Sequence, residues 1–118
     1  MQKFNFDYDG ENDDLFIYSP NSKSKASVEI GDLTLDYNTK KELVAIEIMN
    51  ASEMLKSSVK PGSSIKGALS GLIFCGMQVE PKNNMLMIKI FMKSKTSEIA
   101  PQVLYVPHIK KPSPALAN

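Results

Sequence analysis

Through much of this chain every second residue is apolar, a spacing that suits strands with one buried face and does not suit helices. Phe4, Phe6 and Tyr8 alternate with Lys3, Asn5 and Asp7. Leu15 and Ile17 alternate with Phe16 and Tyr18, so both faces of that strand are apolar and a central place in the sheet is expected. Asp9-Gly10-Glu11-Asn12-Asp13 lies between the two and is turn-forming, which makes them a hairpin. A polar loop over 19–24 follows, interrupted by Pro20. Ala26, Val28 and Ile30 mark a third strand, and Leu33, Leu35 and Tyr37 a fourth, with Gly31-Asp32 turning the chain between them. Val44, Ile46 and Ile48 form the core side of a fifth, with Glu47 opposite.

Helical signals are few. Asn50 or Ser52 is placed to cap a short helix at Glu53-Met54-Leu55-Lys56, and Asn50-Ala51-Ser52-Glu53 has the spacing of a capping box. Residues 60–64 are a Pro/Gly/Ser connector. Residues 64–70 read as a second short helix, weakened by Gly67. Strand signals resume over 72–80 and 85–93, joined by the turn Pro81-Lys82-Asn83-Asn84. In the second of these, Leu86, Ile88, Ile90 and Met92 share one face, and Met87, Lys89, Phe91 and Lys93 the other. A last strand is expected over 102–106, between two prolines. The expectation is an α+β fold: a mostly antiparallel sheet of about six to eight strands, in hairpins and meanders, with one or two short helices. One domain over residues 1–107 is expected, with a mobile tail over 108–118.

Charge divides the chain. Residues 1–59 carry a net −5 and residues 60–118 a net +6. The first stretch is an acidic strand meander with a short helix, the second a basic hairpin half. All fourteen basic residues are lysine. Two halves of opposite sign can pack together and cancel; the alternatives are a basic face for a polyanion and head-to-tail attraction between copies. Lack of arginine speaks against the polyanion, because lysine offers a point charge where arginine offers a bidentate fork.

Chemistry-bearing motifs do not assemble. Asp7-x-Asp9-Gly10-Glu11-x-Asp13-Asp14 invites a calcium reading, but its glycine and its twelfth position do not match an EF-hand loop. A solvated turn with local Asp-to-backbone bonds is expected instead. Gly62-Ser63-Ser64-Ile65-Lys66-Gly67 has P-loop glycine spacing, but Ala68 and Leu69 stand where lysine and a hydroxyl are needed. His108 is the sole histidine and Cys75 the sole cysteine. A nucleophile–base pair of these two lacks a third group to orient it, and Cys75 reads as a buried, inert thiol. No metal or cofactor is expected. The N-terminus turns acidic at once and the apolar runs are too short to cross a bilayer, so a cytoplasmic, non-membrane protein is expected.

Asp7-Tyr8-Asp9, then Asp13-Asp14-Leu15-Phe16-Ile17, Leu33-Thr34-Leu35-Asp36-Tyr37, Leu43-Val44-Ala45-Ile46-Glu47-Ile48 and Asn50-Ala51-Ser52 follow one another in an order and spacing that resemble the short prokaryotic proteins grouped as domain of unknown function 2283. The resemblance covers roughly residues 5–55. The chain departs from that pattern at Ala45 and Lys41, where glycine is usual, and by its long C-terminal half. The resemblance implies a strand meander followed by a helix. It implies no activity, and it hints at protein binding of an antitoxin-like kind.

A non-enzymatic protein-interaction module is therefore the leading expectation. Strands apolar on both faces need cover on both, so a homodimer is expected, with Met87, Lys89, Phe91 and Lys93 as its interface. The alternatives are a lysine-rich nucleic-acid or polyanion binder, and an enzyme built on carboxylates such as Asp36 and Glu47.

Overall fold

The structure, a computed structural model, describes residues 1–107. His108 and the tail expected over 108–118 lie outside the described residues.

Eight strands form one curled antiparallel sheet. They are β1 (Gln2–Asp9), β2 (Asp14–Tyr18), β3 (Ala26–Ile30), β4 (Leu33–Tyr37), β5 (Leu43–Met49), β6 (Leu72–Lys82), β7 (Met85–Ser94) and β8 (Gln102–Pro107), in the spatial order β3-β4-β5-β2-β1-β6-β7-β8. Between β5 and β6 run two short helices, α1 (Ala51–Leu55) and α2 (Ile65–Ser70), and a turn of 3-10 helix at Lys56–Ser58. The α+β reading holds, as do both expected hairpins, β1–β2 and β6–β7.

Two features of the topology exceed a simple meander. Residues 19–25 carry the chain from β2 past β5 and β4 to the sheet edge, so that β3, β4 and β5 return hairpin by hairpin to lie beside β2. That is a Greek-key arrangement. Strand β1 is also shared lengthwise. Its residues Gln2, Lys3 and Phe4 pair with β6, whereas Asn5 to Asp9 pair with β2.

One core fills the inner face. Leu15, Ile17, Leu35, Ile46 and Ile48 from the first five strands join Cys75, Met77, Ile88 and Ile90 from β6 and β7 in a single buried cluster. Ala51 and Leu55 of α1 and Ala68 and Leu69 of α2 complete it, so both helices sit on this inner side. Gly31 adopts a positive φ of 58° in the β3–β4 turn, a conformation that glycine reaches without strain.

Ala26, Val28 and Ile30 do not form a core face. β3 is an edge strand, and of the three only Val28 is even half-buried. Alternation alone reports a strand's two faces and not its place in the sheet. Replacing the fully buried Ile46 by alanine is therefore expected to lower unfolding free energy by about 2–5 kcal/mol. Ile30→Ala should change it by no more than about 0.5 kcal/mol. Chemical denaturation of both variants checks this contrast.

Candidate functional site

Three places on the molecule gather polar or reactive groups: the β1–β2 turn where it meets α1, the outer face of the sheet, and a cleft beside the β7–β8 connection.

At the turn, Asp13 sits at a positive φ of 56° and turns its carboxylate toward α1. The Ser52 amide donates to Asp13 Oδ1 at 3.0 Å, and the Ser52 hydroxyl donates to Oδ2 at 2.6 Å. The Ala51 amide donates to the Asp13 carbonyl at 3.0 Å, and the Tyr8 hydroxyl donates to Oδ1 at 2.6 Å. One residue thus satisfies the first amides of α1 and ties them to β1. The expected capping box is absent. Asn50 adopts a left-handed conformation and makes no side-chain cap, and its amide points to Asp32 instead. Burial works against the Asp13 charge, but the hydrogen bonds from Ser52 and Tyr8 outweigh it and hold this carboxyl below the usual range. Burial, with the adjacent Asp13 carboxylate, raises the Tyr8 hydroxyl. Asp9 spends its carboxylate on the Glu11 and Asn12 amides and the Asn12 side chain, as the solvated-turn reading expected. Among the described residues no three His, Cys, Asp or Glu side chains are placed to hold a metal ion.

The outer face of the sheet continues through β1, because Lys3, Asn5 and Asp7 alternate with the inward Phe4, Phe6 and Tyr8. On one side of β1 it is acidic. Asp7, Phe16, Glu47, Thr34 and Glu29 form one cross-strand row, and Asn5, Tyr18, Ala45, Asp36 and Ser27 the next. The Phe16 and Tyr18 rings meet edge to face at 5.5 Å. Glu47 is pushed up to about 7, first by a hydrogen bond shared with Asp14, then by burial and the negative charges of Asp14 and Asp36. The buried Asp14 Oδ1 has no hydrogen-bond partner among the described residues. Of the two carboxylates expected for an enzyme, Glu47 is perturbed and shares a face with Asp36, but the principal clefts are lined by other residues.

On the other side of β1 the same face is basic and apolar. Cross-strand rows run Glu80, Met87, Tyr105 and Gln78, Lys89, Val103, while Phe91 lies beside Gly76 and Lys93 beside Phe74. The Lys93 ammonium stands 5.6 Å over the Phe74 ring. Of the four residues expected at an interface, Met87 is 6% exposed and already covered within the chain. Phe91 and Lys89 are half-buried, and Lys93 is exposed. Val103 and Tyr105 add exposed apolar area that alternation in the short β8 only hinted at. Cys75 is buried in the core, as expected, and burial pushes its thiol up to about 12.

Asp13→Asn should lower stability by about 1.5–3 kcal/mol, the range for hydrogen bonds to a charged group, measured by denaturant unfolding at neutral pH. Because the folded-state pKa of Asp13 is depressed, that advantage is fading in the parent as pH falls through it, and the two proteins should converge in acid. Glu47 has the opposite sign. Its raised pKa stabilises the fold below about pH 4.5, and that contribution is lost as pH rises through about 7. Glu47→Gln should therefore melt above the parent at pH 8 and show a flatter pH profile; parallel profiles would contradict the raised Glu47 pKa.

Comparison with known proteins matches part of the chain. The chain is 40% identical over 52 residues to an uncharacterised protein of Methanocaldococcus jannaschii, covering 44% of this chain and 45% of that one. It is 34% identical over 61 residues to a Methanosarcina mazei protein named as a candidate hypoxanthine phosphoribosyltransferase, covering 52% of this chain and 50% of that one. The chain thus spans about half the length of these curated relatives. No solved structure matches it. No helix among the described residues is long and apolar enough to cross a membrane. Residues 5–52, from β1 into the first turn of α1, match the family described as Protein of unknown function (DUF2283).

Proposed function

We propose that this protein is a non-enzymatic protein-interaction module that self-associates through the outer face of β6, β7 and β8, as a homodimer. One observation carries the reading. That face displays Phe74, Phe91, Val103 and Tyr105 among Lys3, Lys89 and Lys93, while both helices are spent on the opposite side of the sheet. Half-buried aromatic groups ringed by lysines suit a partner surface that is apolar at its centre and acidic at its rim. The acidic outer face across β1 has that sign, so a second copy offers a complementary charge. An antitoxin-like capture of a different protein would use the same surface. The transferase name of the Methanosarcina relative does not enter this reading, because the match covers half of that protein.

A polyanion-binding reading has the lysines of this face in its favour. The lack of arginine counts against it. Size-exclusion chromatography with light scattering at tens of micromolar should give a dimer mass. Phe91→Glu should give a folded monomer whose melting temperature no longer depends on protein concentration, because Phe91 faces away from the core. A strict monomer for the parent would remove the proposal. Salt-sensitive retention of the parent on a polyanion column would favour the second reading.

A further inference from the structure

We propose that the cleft between the Lys56–Ser58 turn and the β7–β8 connection is a binding site for a small phosphorylated molecule. The cleft has a volume of about 890 Å³, within the range of small-ligand sites. Lys60, Lys93 and Lys95 lie in its lining, together with the hydroxyl-bearing Ser57, Thr96 and Ser97. Val59, Ile73 and Ile99 give it apolar wall. Glu98 is the one carboxylate in the lining, so cations exceed it by two.

The walls are fixed before any ligand arrives. The Ala100 amide donates to the Ser58 carbonyl at 2.8 Å, and the Gln102 side-chain amide donates to the Ser58 hydroxyl at 2.6 Å. On the opposite side the Lys95 amide donates to the Gly71 carbonyl at 2.9 Å, and the Ser94 hydroxyl donates to the Ala68 carbonyl at 2.7 Å. Lys93 is steadied by the Phe74 ring. The Lys56–Glu53 ion pair leaves the cleft lysines aside, and among the described residues none of Lys60, Lys93 and Lys95 has a carboxylate within 4.0 Å. A dianionic phosphate would draw on the charge of the three lysines while its oxygens accept from the hydroxyls. The apolar wall suits the organic part of the molecule. A nucleic-acid strand would need a track of charge, whereas this lining is bounded on both sides by pinned chain.

The site is separate from the outer face proposed for self-association, although Lys93 borders both. The test is a ¹H–¹⁵N NMR titration of the full chain at low ionic strength with three probes: inorganic pyrophosphate, adenosine diphosphate and a single-stranded deoxyoligonucleotide. Pyrophosphate and the diphosphate should move amides at 57–60 and 93–99 and saturate. Lys60→Gln with Lys95→Gln should weaken binding by roughly tenfold or more at an unchanged melting temperature, and Glu98→Gln should tighten it. Three results would overturn the site: unsaturating shifts spread over lysines throughout the chain, affinity unaltered in the double variant, or tighter binding of the oligonucleotide than of the diphosphate. Light scattering of the double variant separates this outcome from that of the dimer, because neither substituted lysine lies on the dimer face.

Discussion

Strand β1 is the piece on which the rest of the sheet depends. It gives residues 5–9 to β2 and residues 2–4 to β6. Everything from β2 to β5 hangs on one side of it and everything from β6 to β8 on the other. Backbone pairing of this kind needs both neighbours to stay in register, and register is fixed by which face is buried. Phe4 sits at the change of partner and is almost fully buried, so its ring serves the core beneath both halves.

The family match acquires a structural meaning from that division. It begins at residue 5, where β1 starts to pair with β2, and it ends at residue 52 in α1. Tyr8, Asp13 and Ser52, which lie in the matched segment, meet in one hydrogen-bonded group. Glu47 and Asp14, also within it, share a face, and the nearby Asp14 helps to raise the Glu47 carboxyl. These residues hold the matched half together. The unmatched half extends the same sheet from the remaining edge of β1, adding the lysine-rich outer face and the cleft.

Much of this was legible in the sequence, and the failures have a common cause. Period-two spacing located the strands, because each buries one side of its own pleat. It could not place β3 at an edge, since Ala26 and Ile30 alternate as neatly as Leu35 and Tyr37 do. Local spacing assigned the α1 cap to Asn50 or Ser52, but the carboxylate that does the work is Asp13, 39 residues away from Ser52. Nor could spacing show that Met87 is covered from within. The cleft lysines gave no signal, because Lys60 and Lys95 are brought together only by the turn docking on the β7–β8 connection.

If β1 joins two halves over one core, neither half can open alone without exposing the other's buried face. Native-state hydrogen exchange measures this directly. The amides of β2 and β5 should share with those of β6 and β7 one highest opening free energy, equal to that of global unfolding. Full protection retained in one half while the other exchanges through a cheaper opening would contradict it.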